Sequence, residues 1–223
     1  MTFKKISLGV VLGLGLAATS GVFADESVDL SVIGTITPTA CDITLSKYTV
    51  DLGNINSKAL SATVINELRS DTVDLNVLCD APARFTLATV DNGAGSALRD
   101  DSASFGLGFA EGDAKIGYFS MRFNGSTLDA DGTSVLGLAS VDKATWAEAS
   151  TAPDAGPGAV TGPALNHGAN YLAFGETVAA GVKEITELNG TLQVRTFVAP
   201  TSDLNLNDDI ELDGSATIEV MYL

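Results

Sequence analysis

The last fourteen residues of the chain, Ile210 to Leu223, alternate without a break. Ile210, Leu212, Gly214, Ala216, Ile218, Val220 and Tyr222 fall on one side, and Asp209, Glu211, Asp213, Ser215, Thr217 and Glu219 on the other. Successive side chains of a strand point to opposite faces, so the pattern predicts a long strand with one dry and one wet face. A second stretch near the start repeats it. Val28, Leu30, Val32, Gly34 and Ile36 alternate with Asp29, Ser31, Thr35 and Thr37, interrupted only by Ile33. Two alternating strands at the two ends predict ends made for pairing.

Residues 1–24 read as a secretory signal peptide. Lys4 and Lys5 supply the positive start, Ile6 to Ala18 the apolar stretch, and Val22-Phe23-Ala24 a small-x-small cleavage site. The apolar run is shorter than the roughly 20 residues that span a bilayer, so the chain is expected to be exported and not membrane-spanning. Cleavage after Ala24 leaves 199 of the 223 residues, enough for one sizeable β domain. It also leaves 10 basic against 28 acidic residues, a formal charge of −18. With its few cations scattered singly, such a chain repels phosphate backbones, which argues against nucleic-acid binding. Cys41 and Cys79 are the two cysteines. In an oxidising compartment they are expected to pair, and they are too few for a metal site beside one distant histidine.

Between the ends the pattern is strand, turn, strand. Ile43–Leu52, Thr72–Cys79 (with Val73, Leu75 and Val77 on one face), Arg84–Val90, Phe105–Phe109, Ile116–Phe123, Tyr171–Phe174, Val182–Leu188 and Thr191–Val198 read as strands. Turn signals stand at Asp91-Asn92-Gly93, Asn124-Gly125 and Asp131-Gly132, and Asn189-Gly190 predicts a hairpin. Asp91 to Ser104 should be a loop, and Val141 to Ser150, around Trp146, is the one place for a short helix. Thr151 to Asn170 carries Pro153, Pro157 and Pro163 and predicts a long glycine- and proline-rich surface insertion. Many short strands without an amphipathic helix predict an all-β sandwich.

Catalytic and cofactor chemistry finds little support. His167 is the only histidine, so neither a Ser-His-Asp set nor a zinc site can be assembled. Asp100-Asp101, Asp129 to Gly132 and Asp208-Asp209 lack the glycine at the sixth loop position that calcium loops carry. Asn124-Gly125-Ser126 and Asn189-Gly190-Thr191 read as turns rather than glycosylation sites. Trp146 offers a sugar-stacking surface, although a tryptophan in a loop more often anchors that loop. The expectation is a protein that is no enzyme and uses no cofactor.

The order of these features resembles the pilin-type subunits of the bacterial chaperone–usher pathway. Residues 25–37, with Val28 to Ile36 and Cys41 seven residues after Gly34, are similar to the N-terminal extension of those subunits. The closing Gly-Ser-Ala-Thr-Ile-Glu-Val-Met-Tyr-Leu is similar to their last strand. Taken whole, with Phe105-Gly106-Leu107-Gly108 and Lys115-Ile116-Gly117, the chain is most like a fimbrial-like family termed domain of unknown function 1120. Gly214 lies nearer the end than the pilin glycine, and Ile210 stands in the more distant place.

The resemblance implies that residues 38–223 form an immunoglobulin-like, pilin-type sandwich lacking its final strand. Gly214, Ala216, Ile218, Val220 and Tyr222 would line the groove left open. A periplasmic chaperone fills that groove first. The donor strand of another pilin subunit (Val28, Leu30, Val32, Gly34 and Ile36), of the same or a different kind, then replaces it at an outer-membrane usher. Chaperone–pilin complementation is one of the standard examples of β-strand addition. The implied product is an extracellular fimbria supporting cell adhesion. The alternative is a tip adhesin or free-standing secreted sandwich that binds carbohydrate or a host surface protein through the loops at 91–104 and 124–170.

Overall fold

A computed structural model of the chain describes residues 30–33, 40–154 and 156–223. Pro38–Leu223 packs as one compact unit. In chain order the strands are β1 (Cys41–Leu45), β2 (Asn66–Glu67), β3 (Asp71–Ala83), β4 (Phe85–Asp91), β5 (Phe105–Gly106), β6 (Phe109–Ala110), β7 (Ala114–Lys115), β8 (Gly117–Phe123), β9 (Asp129–Ala130), β10 (Thr133–Ser134), β11 (Leu136–Ser140), β12 (Ala147–Glu148), β13 (Tyr171–Gly175), β14 (Ile185–Val198) and β15 (Ala216–Tyr222). The described residues contain no α-helix, only short 3-10 turns.

Two antiparallel sheets carry the fold. The first runs β1-β3-β14-β8-β5, with β2 and β9 also pairing with β14; the second runs β12-β11-β13-β4-β15. Alternation drives both. On β3, Val73, Leu75, Val77 and Cys79 are buried while Thr72, Asp74 and Leu78 are exposed. The layers meet in an aromatic centre. Phe105 stacks on Phe119 with ring centroids 5.2 Å apart, and Phe123 of β8 meets Phe174 of β13 edge-on at 5.9 Å. Each such ring contributes about 1.5–3 kcal/mol by burial, with edge-on contacts adding to it.

Several expected elements take another form. Asn189-Gly190 is no hairpin but the middle of β14, paired on one side with Asn76 and Leu75 of β3. A Cβ on Gly190 would come within 2.7 Å of the Phe123 ring. The glycine makes room for an aromatic side chain, and a partner strand on each side overrides the local turn preference. By contrast Asp131-Gly132, with φ of 53° and 73°, does turn the short hairpin between β9 and β10. The expected strand Ile43–Leu52 stops at Leu45, and Cys79 lies inside β3 rather than at its end. The expected helix around Trp146 is a tight turn followed by β12. The closing strand begins only at Ala216. Before it, Ile210 and Leu212 pack against the core from irregular backbone.

The insertion at 151–170 is less peripheral than its composition predicts. Arg122 of β8, 8% exposed, donates to the carbonyl of Gly162 at 2.6 Å and pairs with Asp154 at 3.2 Å. Gln193 of β14 donates to the carbonyl of Gly158 and accepts from the amide of Val160. Buried polar side chains of the sheet's outer face thus hold a loop that has few apolar residues of its own.

Candidate functional site: the edge between β1 and β15

β1 and β15 are edge strands of different sheets. Among the described residues, β1 pairs only with β3 and β15 only with β4. Register assigns their faces. Cys41, Ile43 and Leu45 lie opposite the buried Cys79, Val77 and Leu75, and Ile218 and Val220 lie opposite the buried Thr89 and Leu87. Directly opposed residues share a face, so these side chains point inward. Yet Ile43, Leu45, Ala216, Ile218 and Val220 are only half-buried against the core. Inward apolar side chains that stay half-wet leave an apolar strip along both edges.

The two edges meet at one end. The amide of Cys41 donates to the Tyr222 hydroxyl at 2.7 Å. Tyr222 is 49% exposed, more than Ala216, Ile218 or Val220, and it serves as a tie between the sheets. Cys41 and Cys79 form the expected disulfide, binding the β1 edge to β3. Gly214 precedes β15. A Cβ there would come within 2.7 Å of Leu107, so the glycine permits the close approach of the β15 lead-in to the core. Sequence reasoning missed the second wall, Ile43 and Leu45, because the alternation of β1 spans only five residues.

Of the expected donor residues, Leu30 and Val32 lie among the described residues, 89% and 90% exposed. Val28, Gly34 and Ile36 lie outside them. Among the described residues His167 has no acidic or nucleophilic partner. Its Nε2 lies 3.2 Å from the carbonyl of Ser104, and its ring meets Phe105 edge-on. No group of three metal-ligating side chains occurs among the described residues, and no described helix is long and apolar enough to cross a membrane.

Two known sequence groups are similar to this chain. A family model described as a protein of unknown function, DUF1120, matches residues 30–104, a span that takes in Leu30, Val32, both cysteines and strands β1 to β4. Protein GltF of Escherichia coli (strain K12) is 28% identical over 257 aligned residues that cover the whole of both chains.

Proposed function

We propose that the protein is a structural subunit of a fimbria, exported through the periplasm to the cell surface and supporting adhesion. Subunits would join when the N-terminal segment of one adds a strand to the open edge of the next. The observation that carries this reading is the pair of edge strands whose inward apolar residues, Ile43, Leu45, Ile218 and Val220, stay half-buried. A donor segment with apolar residues at every second position complements such an edge, with main-chain hydrogen bonds for affinity and alternate side chains for specificity. Burial of Val28, Leu30, Val32 and Ile36 would contribute about 6–12 kcal/mol before ordering costs. A periplasmic chaperone would cover the edge until assembly at an outer-membrane usher.

The test is binding of a synthetic 25–37 peptide to the purified chain, together with polymer formation by a chain lacking those residues. Leu30→Asp and Val32→Asp peptides should fail to bind, because a one-face slip or a buried charge is costly. Ser31→Asp, on the wet face, should bind normally. The deleted chain should remain unpolymerised. Equal loss from both classes of peptide, or polymers from the deleted chain, would overturn the reading.

A further inference from the structure

The outward face of the second sheet is covered. Alternation along β4 turns Phe85 and Leu87 into the core and Thr86 and Ala88 away from it. On β13, Leu172 and Phe174 point inward, so Tyr171, Ala173 and Gly175 share the outward face. Thr86 and Ala173 are nonetheless 0% exposed. Two loops lie against this face. Lys143, in the loop after β11, sets its ammonium 4.8 Å from the centre of the Tyr171 ring. In the loop after β13, the Gly181 carbonyl oxygen sits where a Cβ on Gly175 would come within 2.4 Å of it.

Between these loops opens a cavity of about 340 Å³, lined by Arg84, Lys143, Trp146, Gly181 and Leu223 among others. That volume falls in the range of small-molecule sites. The cavity lies on the β4, β13 and β11 side of Leu223, away from the open edge of β15. In a chain of formal charge −16 it gathers two cations. Arg84 reaches Glu184 at only 3.5 Å, with both side chains more than half exposed, so the pairing is weak. Lys143 enters no ion pair among the described residues.

The Lys143 loop is set in advance. Ser140 Oγ accepts from the Lys143 amide, and Asp142 Oδ1 accepts from the amides of Ala144 and Thr145 at 2.9 and 2.8 Å. Lys143 itself is kept at φ 59°, an uncommon conformation for a residue other than glycine. Opposite it, the Gly181 amide donates to the Val178 carbonyl at 3.1 Å, and the Lys183 amide ties the same loop to the Phe174 carbonyl at 2.9 Å.

We propose that this cavity binds an acidic sugar, a pyranose ring carrying a carboxylate. The Arg84 guanidinium can meet a carboxylate with two parallel N–H donors, and Lys143 adds a point charge. The Trp146 indole offers a flat apolar surface to the C–H side of a sugar ring. The wall at Ala180 and Gly181 carries little side chain, so its backbone is open to ring hydroxyls. A phosphate ion would use the cations and leave the indole idle. A neutral sugar would use the indole and leave both cations unpaired. An acidic sugar engages all three, and nothing in the site requires an incoming strand.

Trp146 is the only tryptophan, so its emission reports occupancy. The full chain is titrated with D-glucuronate, glucose, inorganic phosphate and benzoate at matched ionic strength. D-Glucuronate should shift the emission saturably. Glucose and phosphate should each bind at least about tenfold more weakly, since each lacks one half of the contacts. The exposed double variant Arg84→Gln, Lys143→Gln should lose D-glucuronate about tenfold while keeping its parent urea midpoint and its glucose affinity. Glucose binding as tightly as D-glucuronate would overturn the role of the cations. Phosphate or benzoate binding as tightly would overturn the sugar. No saturable response to D-glucuronate would overturn the site altogether, and strand addition would stand untouched.

Discussion

The two long sides of the sandwich are finished differently. On one side the free edge of β8 is paired along its length. Ala97 bridges Gly117, β5 takes Tyr118 and Phe119, and the insertion covers the rest. Leu165 donates to the Met121 carbonyl, and Phe123 donates to the Pro163 carbonyl, both at 2.9 Å. His167 then bridges Thr89 of β4, so the same strap spans from one sheet to the other. Leu165 beneath it is 1% exposed. On the other side, β1 and β15 have no such cover among the described residues, and their inward residues stay half-wet. Unpaired edges are a liability that folded chains usually blunt. Under the strand-addition proposal, the side left apolar and unpaired is the one kept for an incoming strand.

The largest expected effect lies on the open side. The Cys41–Cys79 bond closes a separation of 38 residues, worth about 4 kcal/mol in the loop-entropy account. Cys41→Ser with Cys79→Ser should lower stability in urea by about that amount and weaken peptide binding by freeing the β1 edge. A double variant that binds the 25–37 peptide as well as the parent would show that β1 is not a wall of the site.

Next in size is the contrast between the sides. Leu165→Ala removes a fully buried side chain and should cost about 2–5 kcal/mol, with or without peptide. Ile218→Ala removes a half-buried one and should cost only about 1 kcal/mol in the isolated chain. With the peptide bound, the cost of Ile218→Ala should rise toward that of Leu165→Ala. Urea midpoints measured with and without peptide read the difference directly. An Ile218→Ala cost that the peptide leaves unchanged would erase the distinction between the two sides.

How much of this the sequence carried follows from the range of each interaction. Period-two runs such as Val73-Leu75-Val77 declared both strand and face, because alternation is a local signal. The half-exposure of Ile218 and Val220 was not legible, since it depends on what fails to pack over them. Asn189-Gly190 misled for the related reason that Phe123, sixty-odd residues away, decides the conformation of that glycine. Arg122 gave no hint that it anchors the insertion, because its partners Gly162 and Asp154 come from a glycine-rich loop without periodicity. Trp146 stands out in the sequence as an aromatic loop residue, but its cationic neighbours Arg84 and Lys143 come together only in the fold.

The smallest expected effect lies at the edge of the second sheet opposite β15, in the loop between β11 and β12. The closed side depends on buried Leu165, which does not titrate, whereas the Lys143 loop depends on a carboxylate. Hydrogen bonds from the Thr145 and Ala144 amides, then from the Ser140 hydroxyl, lower the Asp142 pKa from 3.8 to about 2. A depressed carboxylate contributes stability that is present above its unfolded pKa and is lost as pH falls through the folded value. The loop should therefore hold its shape from neutral pH down to about 4 and loosen between about 4 and 2. Trp146 emission should change over that window while the near-ultraviolet signal of the Phe105–Phe119 core does not. Asp142→Asn keeps an oxygen acceptor without a charge to lose, so the emission change should vanish in that variant. An identical acid transition in Asp142→Asn would place the control elsewhere, and the β11–β12 loop would then be held no differently from the strap.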